Sequence, residues 1–149
     1  MKAKPPPFIV WCDTREQTPP PFPDGVVLER VTMGEADYTT AALQGVGVVE
    51  RKGCDFVSSL THDRERFEDE LRRLQGYRWR CIIVEKDLSE CYRMSATHPH
   101  SILGSIASLY ARWDCPVLFA VNPSGAGRLI AGILMRWERR LKEEAGATT

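Results

Sequence analysis

Asp37, Glu50 and Lys52 have the spacing in this sequence that most readily supports chemistry. They lie in the segment Gly34 to Asp55, GEADYTTAALQGVGVVERKGCD, where two strand-like runs flank Gln44-Gly45. Side chains on a strand alternate between faces. Val46, Val48, Glu50 and Lys52 therefore share one face, and Val49 and Arg51 take the other. A two-residue turn at Gln44-Gly45 sets Leu43 opposite Val46, Thr39 opposite Glu50 and Asp37 opposite Lys52. The three groups then project from one side, with opposed residues about 4.5–5.5 Å apart and diagonal ones roughly 7–8 Å. A slip of one residue would send one strand's side chains to the other face.

Two carboxylates and an amine so placed suit hydrolysis of a phosphodiester. The carboxylates offer hard oxygen ligands to Mg²⁺ or Mn²⁺. Such an ion polarises a phosphate and acidifies a bound water. Lys52 could orient or deprotonate that water, or stabilise charge on the phosphorane. Asp55 stands near a helix start, where a carboxylate is favoured, and could reach the ion directly or through water. Taken singly, each residue has a bland reading: a Glu-x-Lys is a solvated strand edge and an Asp near a turn is a cap. Together they end a buried run, Val46 to Val49, and charges there need partners or a metal.

The elements that must position these groups are legible along the chain. Phe8 to Cys12 and Val26 to Val31 read as strands, the second after the turn signal Asp24-Gly25. Asp37 to Leu43 and Val46 to Lys52 read as the hairpin. Asp63 to Gln75 is helical, with Phe67, Leu71 and Leu74 on one stripe and Gly76 as a stop. Arg80 to Glu85 and Pro116 to Val121 are buried strands. Ser101 to Trp113 is a helix apolar nearly all round, hence deeply buried or part of a subunit contact. Tyr92 to His100 lacks periodicity and reads as a mobile loop. A last helix presents Ile130, Ile133, Leu134, Trp137 and Leu141. The order implies an α/β architecture, a central mixed sheet flanked by helices.

The 149 residues suffice for one domain over residues 8–144, with an arm at 1–7 and a tail at 145–149. No apolar run is long enough to cross a membrane, and MKAKPPPF is not a secretory signal. These features predict a protein that is not secreted, cytoplasmic and nucleoid-associated, or nuclear in a eukaryote. The cysteines Cys12, Cys54, Cys81, Cys91 and Cys115 form no CxxC pair and read as buried thiols rather than a zinc site. Net charge is zero, so affinity for nucleic acid must come from local patches. Arg64, Arg66, Arg72, Arg73, Arg78 and Arg80 could follow a phosphate backbone, or form a solvated face balanced by Glu65, Glu68, Asp69 and Glu70.

Val49-Glu50-Arg51-Lys52-Gly53-Cys54-Asp55 resembles the ERKxxxD signature of the XPF-type structure-specific endonucleases. Cys12-Asp13-Thr14-Arg15-Glu16 is similar to that family's upstream D-x-R-E element. Ala36-Asp37-Tyr38 sits where the family has Gly-Asp-Tyr, with alanine in place of glycine. The resemblance covers nearly the whole chain. It implies a restriction-endonuclease-like fold with a PD-(D/E)xK site, Asp37 and Glu50 as metal ligands and Lys52 as the catalytic lysine. Arg51 and Asp55 join the site, and Asp13, Arg15 and Glu16 support it. Asp13 or Glu16 would hold a second ion or a water. Arg15 and Arg51 would clamp phosphate, or pair with Asp13, Glu16 or Asp55.

The expected activity is Mg²⁺- or Mn²⁺-dependent endonucleolytic cleavage of branched or flap-type DNA in repair, recombination or replication, by a homodimer. Because the 149 residues carry no tandem helix-hairpin-helix pattern, the substrate is inferred by analogy. A non-catalytic DNA-binding partner subunit is the alternative. A sequence-specific restriction-type enzyme is a third reading.

Overall fold

The computed structural model describes residues 2–53 and 55–147. Its six strands are β1 (Phe8–Asp13), β2 (Val26–Val31), β3 (Tyr38–Thr39), β4 (Gly47–Lys52), β5 (Trp79–Val84) and β6 (Val117–Phe119). They form one sheet in the order β2-β1-β3-β4-β5-β6. β1 pairs in parallel with β2, and β4, β5 and β6 pair in parallel with one another. Only β3 runs antiparallel to its neighbours, joining β1 to β4. The described residues also form five helices: α1 (Phe56–Leu60), α2 (Arg64–Leu74), α3 (Leu88–Arg93), α4 (Pro99–Trp113) and α5 (Pro123–Ala147).

Strand alternation sorts the apolar residues into two cores. On one face Val10, Cys12, Tyr38, Val49, Cys81 and Ile83 pack against Ala126, Ile130 and Leu134 of α5. On the other, Ile82 and Val84 pack against Phe56, Leu60, Phe67, Leu71, Ile102 and Leu109 from α1, α2 and α4. This second layer leaves the β2-β1 end of its face open, and Ile9 and Val27 there are 41% and 47% exposed. The proline loop between β1 and β2 lies on α5 so closely that a side chain at Gly127 would meet the Pro21 carbonyl oxygen at 1.9 Å.

The hairpin expected around Gln44-Gly45 takes a different register. Tyr38 pairs with Val49, which places Asp37 opposite Glu50 rather than Lys52. The reason lies in residues 40–46. Thr40 Oγ1 accepts the Leu43 amide at 3.2 Å, and the Leu43 carbonyl accepts the Val46 and Gly47 amides at 2.8 and 3.0 Å. The chain therefore curls after Thr39, drops Leu43 fully into the core and cuts β3 to two residues. The displacement is even in number, so Asp37, Glu50 and Lys52 keep a common face.

Tyr92 and Arg93 finish α3, and Pro99 and His100 open α4, so the loop expected over Tyr92 to His100 shrinks to its middle. Asp87 caps α3 by accepting the Glu90 amide at 2.7 Å. α5 continues through Ala147, into the segment expected as a tail. Cys12, Cys81, Cys91 and Cys115 are buried, and Cys54 lies outside the described residues. No helix among the described residues is long and apolar enough to cross a membrane. α4 buries Ile102 and Leu109 but leaves Leu103 and Tyr110 at 44% and 68% exposure, so it is one-sided rather than deeply buried.

Candidate active site

Asp37 and Glu50 face each other across the β3-β4 pair, at the end of the sheet where β1 and β4 finish. They line a cleft of about 250 Å³ whose other charged walls come from Asp13, Arg15, Glu16, Glu35, Glu70 and Arg73. The Asp37 carboxylate is aimed by the backbone: its Oδ2 accepts the Arg51 amide at 2.7 Å, while its own amide donates to the Val49 carbonyl at 3.1 Å. Lys52 is 9% exposed, with Nζ 4.0 Å from Glu50 Oε1 and 3.4 Å from Glu70 Oε2. The ammonium also stands 5.3 Å from the Phe67 ring centre, over a π face that favours a cation.

Burial dominates the titration of the two acids. It pushes Asp37 up to about 6 against the opposing pull of the Arg51 amide, with the Glu16 charge adding to the rise. Glu50 is raised well above the usual carboxylate range, first by burial and then by the Asp37 charge, with Lys52 opposing. The two carboxyls are close enough to share a hydrogen bond and its proton. Two acids that cannot both ionise cheaply form a site that a divalent cation would relieve. Among the described residues no group of three or more His, Cys, Asp or Glu side chains is arranged to hold a metal ion. The residues fit a hard cation that takes two carboxylates and fills its other positions with water and phosphate, as Mg²⁺ does.

Asp55 does not join this pair. It follows Lys52 by three residues, where the ERKxxxD pattern spaces the acid by four. Its Oδ1 instead accepts the Gly53 amide at 3.0 Å, and the residue is exposed outside the cleft. Arg51 points to the opposite face from Glu50 and Lys52. There its guanidinium donates to Glu16 Oε2 at 2.7 Å, Glu85 Oε1 at 2.6 Å and the Thr18 carbonyl at 2.9 Å. With every arm of the fork engaged, Arg51 is an ion-pair hub that holds β1, β4 and β5 in place.

The D-x-R-E element gathers where expected. Asp13 is 1% exposed; Oδ1 accepts the Met33 amide at 2.9 Å and Oδ2 accepts Arg15 Nε at 2.5 Å. Burial raises its pKa, but these donors outweigh burial and hold the carboxyl below its ordinary value. Arg15 stays 68% exposed and also donates to the Met33 carbonyl at 3.1 Å. Glu16 Oε2 accepts from both Arg51 and the Tyr38 hydroxyl, each at 2.7 Å. Glu35 lines the cleft and accepts the Tyr77 hydroxyl at 2.8 Å. Ala36, in the position of the family's glycine, has φ +61°, a left-handed conformation that glycine adopts without strain.

Glu70 was legible only as part of a solvated helix face. It sits three residues after Phe67 and beside Leu71, on the flank of the buried stripe of α2, and that flank is what faces the cleft. Arg73, one turn further on, faces it too.

The ERCC4 domain family model matches residues 2–133. Twenty chains of solved structures are similar, two of XPF among them. XPF from Aeropyrum pernix superposes with a TM-score of 0.72 at 25% identity, covering 85% of this chain and 60% of that one. XPF from Aeropyrum pernix in complex with DNA superposes with a TM-score of 0.71 at 25% identity, covering 89% of this chain and 65% of that one. The chain thus spans less than two thirds of the length of either. No curated protein matches. The mixed sheet between helical layers is the restriction-endonuclease-like α/β arrangement of those nuclease domains. Since the family model matches most of the sequence and both structures share its fold, the chain belongs to the ERCC4 domain family as an XPF-type nuclease domain.

Proposed function

We propose that the cleft hydrolyses phosphodiester bonds of branched or flap-type DNA, as an Mg²⁺- or Mn²⁺-dependent endonuclease acting inside the cell in repair, recombination or replication. One observation carries this reading: Asp37 and Glu50 oppose each other in a cleft with the Lys52 ammonium 4.0 Å from Glu50. The DNA bound in the similar Aeropyrum pernix complex supports the class of substrate.

Asp37 and Glu50 would hold the ion. When bound, a divalent ion supplies Lewis acidity toward a phosphate oxygen and a more acidic water. Lys52, held between Glu50 and Glu70, presents its N–H groups to the attacking oxygen and to charge growing on the phosphate. Arg51 contributes at one remove, since its amide orients Asp37 and its guanidinium fixes Glu16. Arg15 donates to the phosphate with the guanidinium N–H groups that Asp13 and the Met33 carbonyl leave open. Asp55 shapes the turn after Lys52.

The crowding of two acids that destabilise each other weighs against a non-catalytic subunit, which would have no use for the strain. A homodimer is supported by the open side of α4, where Leu103 and Tyr110 are exposed, and by Leu118, 38% exposed on the edge strand β6.

The test is cleavage of plain duplex, flap, fork and four-way DNA with Mg²⁺ or Mn²⁺, comparing wild type with Lys52→Ala. The variant should lose at least about 100-fold in kcat, in the range of a lost acid-base or charge-stabilising group. Equal rates would remove Lys52 from the mechanism. Absence of wild-type cleavage on every substrate would favour a binding subunit.

A further inference from the structure

The cleft's charges, followed partner by partner, leave one group uncommitted. Asp13 holds Arg15, Glu16 holds Arg51 and Tyr38, Glu35 holds Tyr77, and Glu70 holds Lys52. Asp37 and Glu50 face each other. Arg73 lines the cleft as a cation and, among the described residues, has no carboxylate, carbonyl or ring against its guanidinium.

Its arginine neighbours are spent elsewhere. Arg72 is paired with Asp69 and Glu68 and lies over the Trp113 ring. Arg64 pairs with Glu68, Arg78 with Glu144, and Arg80 with Asp114 and the Trp113 carbonyl. Arg66 is exposed, but it does not line the cleft. Of these six arginines only Arg73 lines the cleft, where the other arginine, Arg15, is already paired with Asp13.

The position of Arg73 is fixed by packing. Leu71 and Leu74 on either side of it are 1% and 2% exposed, anchoring the last turn of α2 against the core. Arg73 follows Glu70 by three residues, so both project along one side of that helix. Glu70 reaches in to the catalytic lysine, and Arg73 stands one turn away along the same wall.

We infer that Arg73 forms a subsite for a backbone phosphate neighbouring the scissile one, and so sets where the DNA strand lies across the cleft. The inference rests on the nuclease reading of the same site. A planar guanidinium with free donors is suited to bidentate capture of phosphate oxygens. The sugar-phosphate chain is the ligand because a cleft lined by six acids, whose other arginine, Arg15, is paired with Asp13, needs a cation to bring a polyanion to it. Contacts of this kind position the strand without reading its sequence. Arg73 is accordingly a positioning residue.

The test measures binding of a fluorescein-labelled DNA fork by anisotropy across a KCl series, with the metal-free full chain. The variants are Arg73→Ala, Arg73→Gln and Arg73→Lys, and each is checked by thermal melting. Loss of one phosphate contact should lower the slope of log K against log[KCl] by about 0.7–0.9 in Arg73→Ala and Arg73→Gln. Arg73→Lys should restore most of the slope. In cleavage assays Arg73→Ala should raise KM more than it lowers kcat.

An unchanged slope in a folded Arg73→Ala protein overturns the subsite, as does a Gln variant that matches wild type. A lower melting temperature with an unchanged slope would assign Arg73 to the C-terminal charge of α2 instead. If wild type binds with the expected slope difference but cleaves nothing, the subsite stands and the catalytic reading fails. If wild type does not bind the fork, the subsite falls as well.

Discussion

Replacing Asp37 with asparagine removes a charge that the metal-free protein holds at a cost, and leaves the geometry in place. The asparagine carbonyl can still accept the Arg51 amide now held at 2.7 Å, and its NH₂ group can donate to Glu50. The Asp37 pKa lies at 3.8 without perturbation and about 6 in the fold. An acid whose folded value is raised binds its proton more tightly in the native state. Its ionisation therefore withdraws stability as pH climbs from about 4 to about 6. At about 1.4 kcal/mol for each pH unit, the loss at pH 7 is about 3 kcal/mol. For a chain of this length that corresponds to roughly 6–12 °C in Tm. In EDTA at pH 7, Asp37→Asn should melt above wild type by up to that amount. The gain should shrink at pH 5 and vanish below pH 4. Mg²⁺ or Mn²⁺ at about 1,000 times its Kd should reverse the order, because ligand at that level adds about 4.1 kcal/mol to wild type. Differential scanning calorimetry over this pH range makes the comparison. A variant less stable than wild type in EDTA at pH 7, or a difference that does not change with pH, would refute the account of the paired acids.

Two further substitutions probe the supports of the site. Ala36→Gly relieves a left-handed residue at a cost of about 1–2 kcal/mol but adds about 0.5–1 kcal/mol of freedom to the unfolded chain. The net gain of about 0.5–1 kcal/mol should appear in urea unfolding, and a loss would mean that the Ala36 methyl is needed. Arg51→Ala strands Glu16 and Glu85, whose side chains are 14% and 13% exposed, and should cost about 3–5 kcal/mol in the same assay. A cost under 1 kcal/mol would show that water screens this network.

Much of the site was readable because strand parity survives a register error of an even number of residues. The turn at Gln44-Gly45 was placed from local chemistry alone, and the burial of Leu43 overrode it. The pairing moved by an even step, so Asp37, Glu50 and Lys52 stayed on one face with different opposite numbers. Arg51 could equally have gripped phosphate or carboxylate on sequence grounds. Its partners Glu16 and Glu85 lie just past the ends of β1 and β5, and sequence spacing holds no record of that convergence. Glu70 escaped for the same reason, and Arg73 could be named only as one of six arginines able to follow a backbone: periodicity locates the buried stripe of a helix but not which flank overlooks a cleft. The short helix α3 did leave a trace. Asp87 followed three residues later by Glu90 is a capping pattern. The glycine missing at Ala36 was visible as a departure, but only the backbone angle gives it a cost.

β3 has two paired residues, yet it alone connects the β2-β1 half of the sheet to the β4-β5-β6 half. The acids stand on either bank of that narrow seam, Asp37 just before β3 and Glu50 within β4. An ion gripped by both would rivet the two halves where the hydrogen-bonded ladder is thinnest. Readiness to cut DNA and the mechanical continuity of the sheet would then depend on one coordination bridge.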